Sequence, residues 1–150
     1  MRAGTMRRTW ILIALPLFSC LARADLSEEA DMREAIVLAC HYEMGEFGVT
    51  SVQECIASET SALVAVSNYP DAAAPIVARC KRDMRQRAWV TVKACIDQDL
   101  AAAGALAHYP VEHKAIVEGC EAQVGKQGPA KVKACADQQI SVQAGTTGPR

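Results

Sequence analysis

Six cysteines recur in two columns forty residues apart: Cys40, Cys80 and Cys120 in one, Cys55, Cys95 and Cys135 in the other. The residues before the first column repeat with them, as "IVLAC" (Ile36–Cys40), "IVARC" (Ile76–Cys80) and "IVEGC" (Ile116–Cys120). Fourteen residues separate the two cysteines of every pair. A fixed period of this length marks stacked supersecondary units that bury their apolar faces against one another. The chain is therefore confined to three copies of one small unit, at about 31–70, 71–110 and 111–144.

Within a unit the apolar spacing is helical. Ile36, Val37, Cys40 and Met44 fall on one face, as do Ile76, Val77, Cys80 and Met84. A second stripe runs through Val92, Cys95, Ile96, Leu100, Ala103 and Leu106. Gly45, Gly48, Gly125, Gly128 and Pro129 mark a turn between the two helices, with Pro129 suited to the first position of a helix. "SNYPD" and "AHYPV" join the units, where proline stops the preceding helix. Strand patterns are absent, so the expected fold is all-α: three stacked helical hairpins. Gly145, Gly148 and Pro149 argue against a long final helix, and residues 145–150 read as a disordered tail.

Each hairpin tip lies almost midway between its two cysteines, which places them level on antiparallel helices. Pairing Cys55 with Cys80 across a link is also symmetric, but it strands Cys40 and Cys135 at opposite ends. Pairing within units satisfies all six, giving Cys40–Cys55, Cys80–Cys95 and Cys120–Cys135. Small neighbours, Ala39, Ala94, Gly119 and Ala134, favour the close approach that a disulfide requires.

The N-terminus specifies a compartment. Arg2, Arg7 and Arg8 precede an apolar run at Trp10–Phe18, and Ala22-Arg23-Ala24 follows as a small-x-small site. These are the parts of a secretory signal, predicting residues 1–24 as a signal peptide cleaved between Ala24 and Asp25. "LFSC" at Leu17–Cys20 partly matches a bacterial lipobox, so a lipoprotein anchored at Cys20 is the alternative. Either way Cys20 leaves the count and six cysteines remain, the even number that an oxidised exported chain needs. Four arginines leave with residues 1–24, so 16 basic residues become 12 against 17 acidic ones. The expected mature chain, 25–144 with its tail, is periplasmic or secreted and has no transmembrane segment.

Charge is uneven along that chain. Residues 25–78 hold ten acids and one base, Arg33, whereas Arg79, Lys81, Arg82, Arg85, Arg87 and Lys93 follow with only Asp83 among them. The cluster surrounds the second hairpin tip beside Trp89, and reads either as a solvated helix end or as an anion-binding tip. Asp97 and Asp99 diverge by about 200° on a helix and do not form a catalytic pair. They read as a solvated face, with Lys93 the i, i+4 partner of Asp97. His108, Glu112 and His113 flank a link, and their spacing favours a polar loop over a metal site. The cysteines lack C-x-x-C spacing, and no G-x-S-x-G, H-E-x-x-H or phosphate-cradling glycine loop is present. Net charge and export argue against nucleic acid.

"TVKACIDQDL" (Thr91–Leu100), "KVKACADQQI" (Lys131–Ile140) and the degenerate "SVQECIASET" (Ser51–Thr60) resemble small uncharacterised exported bacterial proteins with VKAC-x-D-Q-D repeats. The resemblance spans residues 31–144 and implies fold and export, with no activity attached. The architecture is also similar to Sel1-like disulfide-stapled helical repeats, whose glycine-alanine signatures are missing here. The expected function is a non-enzymatic binding or scaffold protein of the bacterial envelope, without cofactor, engaging a protein or anionic partner. A secreted inhibitor or chaperone-like factor using the basic tip is the alternative, and a metal carrier or enzyme the next.

Overall fold

The described residues form six α-helices. A computed structural model describes residues 21–84 and 88–146, with side chains at 29–84 and 88–144. The helices are α1 (Leu21–Met44), α2 (Val49–Ser67), α3 (Ala74–Asp83), α4 (Trp89–Ala107), α5 (Lys114–Val124) and α6 (Pro129–Thr146). Among the described residues there is no strand. The pairs α1–α2, α3–α4 and α5–α6 are the three hairpins. Single 3₁₀ turns at Gly45–Phe47 and Gly125–Gln127 close the first and third tips. Others at Asp71–Ala73 and Val111–His113 follow the proline links.

The second helix of each hairpin is the structural one. α4 packs between α2 and α6, while α1, α3 and α5 lie chiefly against their own partners α2, α4 and α6. This gives a row of three long helices overlaid by three first helices. Each hairpin has its own apolar nucleus around its cysteines. Ile36, Cys40 and Leu63 form the first, Val66, Cys80, Val92 and Ile96 the second, and Cys120, Val132 and Ala136 the third. Trp89, at the start of α4, packs on both the first and the second, and so joins hairpins one and two.

The bridges Cys40–Cys55, Cys80–Cys95 and Cys120–Cys135 all form within hairpins, with Cα atoms 5.7, 5.9 and 5.8 Å apart. These separations lie within the range of about 4.4–6.8 Å that a disulfide requires. Ala94 and Ala134 sit next to the second cysteines, as the close approach requires.

Two expectations need correction. α6 runs to Thr146 and includes Gly145, so the final helix is 18 residues long. One glycine costs a helix only about 1 kcal/mol, too little to stop a helix that is already formed and propagating. Residues 147–150 of the expected tail lie outside the described residues. Val37 is also exposed, although its counterparts Val77 and Val117 are partly buried. Those two share their nuclei with Val66 and Tyr69, or with Leu106 and Tyr109, from the hairpin before. Among the described residues no earlier hairpin meets Val37.

The apolar run of the expected signal lies outside the described residues, and Ala24–Asp25 falls near the start of α1. Among the described residues no helix is long and apolar enough to cross a membrane.

Candidate functional site

Polar side chains fasten each hairpin to the next in two ways, and the first junction also keeps an open cleft. The first fastener is a triad at each link. Tyr69, beyond the end of α2, donates its hydroxyl to Asp97 of α4, and Lys93 donates to the other oxygen of Asp97 at 2.6 Å. Forty residues on, Tyr109 donates to Asp137 and Lys133 joins it at 2.6 Å. Hydrogen bonds from Lys93 and then Tyr69 hold the Asp97 carboxyl below its ordinary value, and Lys133 and Tyr109 do the same to Asp137. Burial, then the bond to Asp97, pushes the Tyr69 hydroxyl up to about 12. Hairpin one has Gln53 and Ala57 where Lys93 and Asp97 stand, and no linking tyrosine precedes it. Its degenerate signature follows from the missing interaction.

The second fastener runs through the column Glu59, Asp99 and Gln139. A helix begins with backbone N–H groups that lack partners within it. At the start of α4 the cap residue Ala88 supplies no side-chain acceptor, and Glu59 of α2 accepts the N–H of Trp89 instead. At the start of α6, Pro129 has no N–H, and Asp99 of α4 accepts from Ala130 at 3.0 Å. Each second helix thus caps the next from its flank. Among the described residues no helix follows for Gln139 to cap, and its amide donates to the sulfurs of Cys120 and Cys135 at 3.4 and 3.5 Å.

Asp99 is 2 % exposed, which corrects the expectation of a solvated face. Its second oxygen accepts from the Arg79 guanidinium, which also donates to Asp83 at 3.1 Å and lies beside the sulfurs of Cys80 and Cys95. Asp97 is exposed and paired with Lys93, as expected for the other side of the helix. Gly128 completes the arrangement. Its φ is +105°, and a Cβ there would stand 2.6 Å from Asp99 Oδ2 and 2.7 Å from Arg79 Cζ. Close approach by a cation and the left-handed backbone both require glycine at this position.

The expected anion-binding tip is therefore smaller than the sequence suggests. The Arg79 side chain is only 15 % exposed and belongs to the junction of hairpins two and three. Lys93 belongs to the tyrosine triad. Lys81 lies 5.8 Å from the centroid of the Trp89 ring, and Arg82 is exposed beside Asp83. Arg85 and Arg87 lie outside the described residues. Among the described residues no group of three or more His, Cys, Asp or Glu side chains converges on a point that could hold a metal ion, His108, Glu112 and His113 included.

A cleft of about 450 Å³ remains between α1, α2 and the start of α4. Its walls are mainly apolar, from Met32, Ile36 and Trp89 with Ala35, Ala39 and Ala88. The Cys40–Cys55 bridge lines it, and Glu43 and Glu59 are its charged groups. Sequence reasoning missed the Glu59 column and the tyrosines. The available signal was joint variation: the Lys–Asp pairs of the second and third units each follow a link tyrosine, and the first unit, with no link before it, has neither Lys nor Asp at those positions.

No family model matches the chain, and no curated protein and no solved structure is significantly similar to it.

Proposed function

We propose that the chain is an exported, disulfide-stapled binding and scaffold protein of the bacterial envelope, acting without catalysis. Three bridges suit an oxidising compartment. The N-terminal basic flank, apolar run and Ala-x-Ala site support export through a signal peptide. The observation that carries the binding reading is the contrast between the two hairpin junctions. At the second an ion pair fills the space beside the Cys80–Cys95 bridge, while the equivalent space beside Cys40–Cys55 at the first is an open cleft with a buried carboxylate beside it.

A photo-crosslinking residue at Ala39, in the cleft, should give a discrete adduct in the native envelope. The same group at exposed Val111 should not. Equal labelling from both positions, or none from either, sinks the binding reading. Intact mass of the protein from that envelope tests export. The expected species begins at Asp25 and carries three bridges, whereas a lipid on Cys20 would establish the anchored alternative.

A further inference from the structure

The cleft at the first junction has a counterpart forty residues later, and the counterpart is occupied. There the Arg79 side chain lies along the Cys80–Cys95 bridge, and its guanidinium spans Asp83 of α3 and Asp99 of α4. At the first junction Glu43 stands for Asp83, Glu59 for Asp99, and Cys40–Cys55 for Cys80–Cys95. Ala39 stands for Arg79. Both carboxylates and the bridge around the guanidinium have equivalents here, and among the described residues no guanidinium stands between them.

Glu59 sharpens the contrast. It is 9 % exposed, and one of its oxygens accepts the Trp89 N–H. Among the described residues its other oxygen accepts no hydrogen bond, and no cation pairs with it. A largely buried carboxylate whose free oxygen faces an open cleft, with no counter-charge among the described residues, favours a cation that can enter beside it. Lys81 approaches the Trp89 ring but makes no ion pair with Glu43 or Glu59. The backbone also leaves room. Ala88 replaces Gly128 but has φ −55° rather than +105°, and it lines the open cleft.

We propose that this cleft binds a guanidinium group from outside the chain, which takes the place that Arg79 fills at the next junction. The proposal rests on the binding reading above and names its ligand chemistry. A planar guanidinium reaches two carboxylates with separate N–H groups, as Arg79 does, and stacks on an aromatic face such as Trp89. An ammonium is a compact, strongly hydrated charge and lacks that fork. The group comes either from a small free guanidine or from an arginine side chain of a protein partner.

Calorimetric titration of the oxidised protein with ethylguanidinium, ethylammonium and a capped Ala-Arg-Ala peptide tests this. Both guanidinium probes should saturate, at least about tenfold more tightly than ethylammonium. A tighter peptide assigns the source to a protein, and an equal or tighter ethylguanidinium assigns it to a small molecule. Glu59→Gln still accepts the Trp89 N–H and should weaken both probes about tenfold or more. Ala39→Arg should fill the cleft from within, abolishing binding and raising the melting temperature. Saturation by neither probe overturns the proposal, as does binding that both variants leave unchanged. Binding seen only after Arg85→Ala with Arg87→Ala overturns it too, because the chain's own arginine would then be the occupant. An adduct from position 39 alongside failed titrations removes the guanidinium and leaves the binding reading standing.

Discussion

Asp99 and Gly128 show how much of this fold hangs on single side chains. Asp99 neutralises a nearly buried arginine and caps the start of α6. Asp99→Ala strands that guanidinium and should cost about 3 kcal/mol or more. Asp97→Ala, on the exposed side of the same helix, should cost under about 1 kcal/mol. Chemical denaturation of the two variants decides it, and equal losses would refute the assigned roles. Arg79→Met combined with Asp99→Leu should recover part of the loss, since no buried charge is then unpaired, though the Ala130 N–H stays uncapped. The glycines make a second comparison. Gly48 and Gly128 both have positive φ, but a Cβ at Gly48 meets nothing within 4 Å while one at Gly128 strikes Arg79 and Asp99. Gly48→Ala should cost about 1–3 kcal/mol from backbone strain alone. Gly128→Ala should cost more, and a loss no greater than that of Gly48→Ala would show that the ion pair yields freely.

At the scale of the helix, periodicity revealed the elements and concealed what fastens them. Cysteine columns, apolar stripes and the Tyr-Pro links were legible because helical spacing and turn residues act locally. The end of α6 was not, because the cost of Gly145, about 1 kcal/mol, is too small to stop a helix that is already formed. The roles of Tyr69, Glu59 and Asp99 were not legible either, since each reaches a residue about thirty positions away on a neighbouring hairpin. The open cleft is a matter of what Ala39 fails to fill, and no single unit contains that information. The tyrosine triad makes its own prediction. The folded-state pKa of Tyr69, about 12, lies above the ordinary 10.0. Below pH 10 the phenol is protonated in both states and its contribution is whole. Between about pH 10 and 12 the unfolded chain gives up its proton first, so stability falls as pH rises. Asp97 and Asp137 have the opposite sign. Their contribution is present above the ordinary carboxylate value of 3.8 and is lost as pH falls through their lowered folded values. Thermal melts should show a steeper alkaline loss for the native chain than for Tyr69→Phe. A parallel loss in both would dismiss the link tyrosine as the source.

Across the whole molecule, the apolar nuclei are small and largely aliphatic, and each is built around a cystine. Cys40, Cys80 and Cys120 are among the largest fully buried side chains, and Ile96 is the one other large residue so enclosed among the described residues. The bridges therefore both fill the core and restrain the unfolded chain. Each closes a separation of 15 residues, worth about 3 kcal/mol in the chain-entropy model. Three such contributions are comparable with the whole stability of about 5–15 kcal/mol typical of a domain. Reduction should then collapse the helical circular dichroism near room temperature. Removing the middle bridge alone, as Cys80→Ser with Cys95→Ser, is the sharper test. α4 packs against both α2 and α6, and Arg79 lies against both sulfurs of this bridge. Its loss should loosen hairpins one and three together, and lower the melting temperature more than Cys40→Ser with Cys55→Ser. Peptide mapping of the middle-bridge variant should still find Cys40–Cys55 and Cys120–Cys135 intact. Full helicity in reductant would show that packing alone sustains the fold, and a larger loss from the first bridge than from the middle one would deny α4 its central place.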